Sequence, residues 1–154
     1  MAKKKTWSEK LHDDSKGLPN VGRNSGKLFR QWGAGTHVIP APIEVDELMR
    51  KVRKGRLATI EQLCRKLAEK HGVDRGCPLT TGIFAWIAAY AADEAESAGK
   101  KRITPYWRTL KSDGQLNPKY PGGVENLKTR PSFYTAGAIS ASVGSLAASA
   151  RWSS

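Results

Sequence analysis

Apolar residues recur at helical spacing in three stretches. From Pro42, Val45, Leu48, Met49 and Val52 fall on one face, the three-to-four residue recurrence that marks an amphipathic helix. Pro42 suits the first turn, Glu44, Asp46 and Glu47 suit its positive dipole end, and Gly55 marks the stop after Lys51, Arg53 and Lys54. A second helix opens at Thr59, with Gln62 three residues on as a capping box. Ile60, Leu63, Cys64 and Leu67 form its stripe, and Gly72 ends it. A third helix is predicted over 80–97. Ile83, Phe84, Trp86, Ile87 and Tyr90 are its expected buried face, and Ala88, Ala89, Ala91 and Ala92 permit close packing. Its far end carries Asp93, Glu94 and Glu96, unfavourable at a helix C-terminus and expected to be tolerated through solvent exposure.

After the helices the period changes. Ile103 to Leu110 and Gln115 to Leu116 read as short extended runs joined by Lys111-Ser112-Asp113-Gly114, and Asp-Gly between extended runs is a hairpin signal. The fold class expected is therefore mainly α with a small β hairpin, a winged helix-turn-helix in which one helix enters a DNA groove and the hairpin flanks it. Residues 40–130 hold this domain. Residues 1–39 read as a basic extended lead-in, with Leu28, Phe29 and Trp32 as a short anchor, and residues 131–154 as a Ser/Ala/Gly-rich, low-complexity, disordered tail.

Charge narrows the class of partner. Lys and Arg number 26 against 14 Asp and Glu, a formal net charge of +12. Such an excess favours a polyanion, because each cation placed on a phosphate releases condensed counterions. No apolar run approaches the roughly 20 residues that a bilayer core demands. The basic start lacks the apolar stretch of a secretory signal, and two cysteines make no disulfide framework, so a reducing cytoplasm is expected.

The run Pro105-Tyr106-Trp107-Arg108-Thr109-Leu110-Lys111-Ser112-Asp113-Gly114, with Tyr120-Pro121-Gly122-Gly123-Val124-Glu125-Asn126-Leu127-Lys128 after it, resembles the active-site region of the alkylguanine-DNA alkyltransferases. There a Pro-Cys-His-Arg-Val segment precedes a Gly, a Gly-Tyr-x-Gly-Gly turn and a Lys-bearing helix. Gly55 to Leu63 is similar to the family's Gly-x-Val-x-(Ser/Thr)-Tyr-(Gly/Gln)-(Glu/Gln)-Leu helix opening. The resemblance spans roughly residues 42 to 129.

Its departures carry the functional expectation. The family's acceptor cysteine falls at Tyr106 and the histidine at Trp107. A phenol with a pKa near 10 is a poor nucleophile at neutral pH, and indole is no base. The resemblance thus implies the alkyltransferase-like subgroup, which binds alkylated guanine without accepting the alkyl group and passes it to downstream repair proteins. The implied lesion pocket is Tyr106, Trp107, Arg108, Ser112 and Tyr120, either stacking on a flipped base or simply filling the vacated pocket as core. Double-stranded DNA contacts are expected from Arg56, Thr59, Arg75, Thr80, Thr81, Lys111, Gly122 and Gly123, with helix capping an equal account of the threonines. Neither metal nor cofactor is implied, and a monomer associated with the nucleoid is expected. Two other readings stand beside this one: an alkyltransferase using Cys77, and a general winged-helix regulator. Ile60 stands where the family has its phosphate-rotating tyrosine, and Arg75 is the nearest substitute for its intercalating arginine.

Overall fold

A computed structural model describes residues 3–130; residues 131–154, including the predicted tail, lie outside them. The protein is mainly helical with small β-elements. In chain order these are α1 (Trp7–Leu11), β1 (Asn20–Arg23), α2 (Gly26–Trp32), β2 (Thr36–Ile39), α3 (Pro42–Arg50), β3 (Ala58–Thr59), α4 (Ile60–His71), β4 (Arg75–Gly76), α5 (Pro78–Ser97), a 3-10 turn at Tyr106–Arg108, β5 (Thr109–Leu110) and α6 (Gly123–Thr129).

Local signals set most helix ends. The Thr59 hydroxyl accepts from the Gln62 amide and Gln62 returns to the Thr59 amide at 2.9 Å, so the capping box forms. Gly72 adopts the left-handed conformation that closes α4. Pro42 and Pro78 occupy first turns, where a missing amide hydrogen costs nothing; α5 therefore starts two residues before the Thr80 expected. α3 stops at Arg50, ahead of the turn that runs to Gly55.

α5 packs against α1, α3, α4 and the 3-10 turn, and this central place reverses its expected facing. Ala85, Ala88 and Ala89 are fully buried with Thr81, whereas Ile83 is 44% exposed and Phe84, Trp86, Ile87 and Tyr90 are half-buried. Small side chains let neighbouring helix backbones close in, so the alanine face, not the bulky one, lines the centre. The acidic end of α5 is also not merely solvated. The Glu94 carboxylate accepts from the Trp7 and Ser8 amides at 3.1 and 3.3 Å, capping α1, and Glu96 pairs with both terminal nitrogens of Arg130 at 2.8 and 2.9 Å.

The lead-in differs most from expectation. Instead of an extended segment, residues 7–39 contribute two helices and two strands. Trp7 stacks on Tyr90 (centroids 4.8 Å) and meets Trp86 edge-on at 5.3 Å, and Leu11 enters the core. β1 pairs antiparallel with β2, which pairs parallel with β4 through His37 to Arg75 and Val38 to Gly76. Charge density in the sequence suggested solvation, but the aromatic pocket on α5 is assembled only in three dimensions.

The predicted hairpin ladder is also absent among the described residues. Thr109–Leu110 pairs parallel with Ala58–Thr59 instead. The Asp-Gly turn does form, with the Lys111 amide donating to the Gln115 carbonyl at 2.9 Å, but Gln115–Leu116 extends no strand beyond it. A buried partner strand competes successfully because Leu57, Ala58, Thr109 and Leu110 are all buried.

Candidate nucleic-acid interface

The residues expected to form one pocket separate into two places. The first is a closed aromatic cluster. Tyr106 has no exposed surface and Tyr120 has 1%. Their rings meet edge-on at 5.9 Å, and Trp107 meets Tyr106 edge-on at 5.3 Å. The Tyr106 hydroxyl accepts from Asn126 Nδ2 at 3.1 Å and Arg130 Nη2 at 2.9 Å. The Arg130 guanidinium lies over both the Tyr106 and Trp107 rings while gripping Glu96. Burial pushes the Tyr106 phenol up; the positive charge of Arg130 opposes this without prevailing. Tyr120 is pushed up strongly by burial alone, and its hydroxyl finds no partner among the described residues. Neither phenol is placed or ionised to act as a nucleophile at neutral pH. Arg108 completes this cluster by donating to the Val52 carbonyl at 2.9 Å, which ties the 3-10 turn to the segment that follows α3.

Ser112 belongs to a different place. The first turns of α5 and the loop from Lys111 to Lys119 enclose an open cleft of about 780 Å³. Ile60, Leu79, Ile83 and Trp86 supply an apolar wall from the helices, and Ser112, Asn117 and Pro118 face them from the loop. Lys111 and Lys119 are exposed on its lining. The sequence reading missed Leu79, Ile83, Trp86, Asn117 and Lys119. A signal was present: Leu79, Ile83 and Trp86 recur at helical spacing on a stripe separate from the alanines. Leu79 is 72% and Ile83 44% exposed, so the mouth of the cleft presents apolar surface to solvent.

The expected DNA contacts divide likewise. Thr81 is fully buried and its hydroxyl donates to the Cys77 carbonyl at 2.7 Å; Thr59 is buried and caps α4. For both, the bonds within the helix ends are the ones formed, the account given equal standing with a phosphate role. Thr80 is half-buried and bonds the same carbonyl at 3.4 Å. Arg75 and Arg56 are exposed, Arg75 with its guanidinium 5.3 Å from the Trp32 ring centre. Gly122 and Gly123 begin α6 at positive φ. A Cβ on Gly122 would stand 2.5 Å from that of Asn126, so glycine there protects the Asn126 bond to Tyr106.

The thiols differ in setting. Cys64 is buried on α4, and burial pushes its thiol up. Cys77 is half-exposed as the cap residue of α5. Among the described residues no helix is long and apolar enough to cross a membrane. Comparison with protein-family models, with curated proteins and with solved structures finds no match for this chain.

Proposed function

We propose that this chain is a non-enzymatic, alkyltransferase-like DNA-binding protein that holds an extruded alkylguanine in the cleft between α5 and the Lys111–Lys119 loop. The observation that carries this reading is the cleft itself: apolar on its helical wall, polar on its loop wall and bordered by Lys119 and by Lys111 with its partner Asp113. Its size lies within the roughly 300–1,000 Å³ typical of small-molecule sites. An unstacked base needs apolar walls against its faces and polar groups at its edge. In this reading α4 and α5 act as a helix-turn-helix, and the Lys111–Lys119 loop takes the place of a wing beside α5. In this reading the aromatic cluster at Tyr106 serves as a filled support behind the cleft rather than as the base pocket, the second of the two roles expected for Tyr106 and Trp107. Alkyl transfer is disfavoured because the buried phenol stands where the family has its thiolate. The protein would reside on the nucleoid and deliver the lesion to repair proteins.

The test compares affinity for duplexes with and without one alkylguanine at 0.15 M salt, with mass spectrometry of the protein afterwards. The expected result is preference for the lesion by about tenfold or more, equivalent to about 1.4 kcal/mol, with no mass gain. Equal affinities would sink lesion recognition. An alkyl adduct on Cys77 would sink the non-enzymatic reading.

A further inference from the structure

The segment formed by β1, α2 and β2 stands beside the DNA-facing end of α5 and plays no part in the cleft. None of the residues of α2 is buried. Yet the segment is held firmly at its base. The Asn24 amide donates to the Gly35 carbonyl at 2.8 Å, its side chain donates to the Gly33 carbonyl at 3.1 Å, and His37 Nδ1 lies 2.9 Å from Asn24 Oδ1. Asp74, in the turn before α5, accepts from both the amide and the hydroxyl of Thr36 at 2.8 and 3.0 Å. Gly35 is required at that junction, since a Cβ there would lie 2.8 Å from the Asp74 carboxylate at a φ of 140°. Such bonds fix a projecting arm to the connection that leads straight into α5.

The arm's chemistry is one-sided. No acidic residue occurs between Asp14 and Glu44, whereas Arg23, Lys27 and Arg30 are all exposed along it. Among the described residues, no carboxylate pairs with these three cations. Phe29 is 52% exposed, and Trp32 carries the guanidinium of Arg75, on β4, over its ring. Arg23, Lys27 and Arg30 thus stand exposed on a segment whose nearest carboxylate, Asp74, is engaged by Thr36 at its base, and such a cationic surface is complementary to a polyphosphate backbone.

We infer that this arm is a second, sequence-independent contact with duplex DNA, in which Lys27 and Arg30 grip phosphates flanking the site read by α5. The inference rests on the DNA-binding function proposed above. It extends the footprint beyond the cleft and makes affinity, rather than lesion choice, the arm's contribution.

The experiment measures duplex affinity of the full chain across a salt series for three proteins: wild type, Lys27→Ala/Arg30→Ala, and Lys100→Ala/Lys101→Ala. The last pair removes the same charge from the far end of the 20-residue α5, about 30 Å from its start. Loss of two phosphate contacts lowers the log–log salt slope by about 1.8 and weakens binding at 0.15 M salt by roughly 30-fold. The arm variant is expected to show this loss, equally for plain and alkylated duplex, while the distal pair retains the wild-type slope. A wild type that binds duplex while the arm variant keeps its slope would overturn the arm and leave the cleft reading standing. Equal losses in the two variants would also overturn it, as mere bulk charge. A wild type that binds no duplex at all would instead defeat the DNA-binding reading from which the arm follows.

Discussion

Replacing Tyr106 with Phe separates a structural role at the former acceptor position from a role in base recognition. The substitution keeps the ring and deletes only the hydroxyl. That hydroxyl accepts from Asn126 and from Arg130, but neither donor is stranded by its loss. Asn126 Nδ2 also donates to the Pro121 carbonyl at 2.9 Å, and Arg130 Nη2 keeps Glu96 Oε1 at the same distance. The cost is therefore that of lost hydrogen bonds without an unsatisfied buried charge, about 1.5 kcal/mol. For a chain of this size that corresponds to a midpoint lowered by about 5 °C. Equilibrium urea unfolding of both proteins measures the difference directly. A loss above about 3 kcal/mol would mean that the donors have no second acceptor, and no loss would mean that the phenol is not engaged. The same variant should bind plain and alkylated duplex within about twofold of wild type, a difference of about 0.4 kcal/mol. Collapse of lesion preference with the fold intact would place Tyr106 in the base pocket and refute the assignment of that role to the cleft.

Two further outcomes follow from buried aromatic groups. Tyr106 and Tyr120 both have phenols raised by burial, so above pH ~10 the unfolded chain loses protons that the folded chain keeps. Stability should be fully retained below that pH and should fall as pH rises toward the folded values, with Tyr120, the more strongly raised, approaching about 1.4 kcal/mol per pH unit and Tyr106 acting in the same direction. Urea midpoints from pH 9 to 11 measure the slope; a Tyr120→Phe variant with an unchanged slope would contradict it. Trp7→Ala removes a ring packed on both Trp86 and Tyr90 and should cost about 3 kcal/mol. A neutral result in thermal or urea unfolding would show that the lead-in does not share the core.

The sequence by itself determined the helices and their ends wherever the cause is local. Thr59 with Gln62, Pro42 at a first turn and a left-handed Gly72 act over a few residues, and each appears where the pattern placed it. The Asp-Gly turn formed for the same reason. Tertiary structure alone decided which face of α5 is central, because periodicity marks two apolar stripes and cannot say which neighbours approach. Partner choice for Thr109–Leu110 was equally non-local, since its strand lies in the chain before α4 rather than after the turn. Tyr106, Trp107 and Tyr120, neighbours in the resemblance, pack together in one closed cluster, whereas Ser112 lines the separate cleft between α5 and its facing loop. The lead-in shows the limit most clearly. Its one local signal is the Thr6–Glu9 capping box that starts α1, and the rest of its order comes from Trp7 meeting Glu94 and Tyr90 and from Thr36 meeting Asp74 across long stretches of chain. Contacts of that kind exist only after the chain has folded.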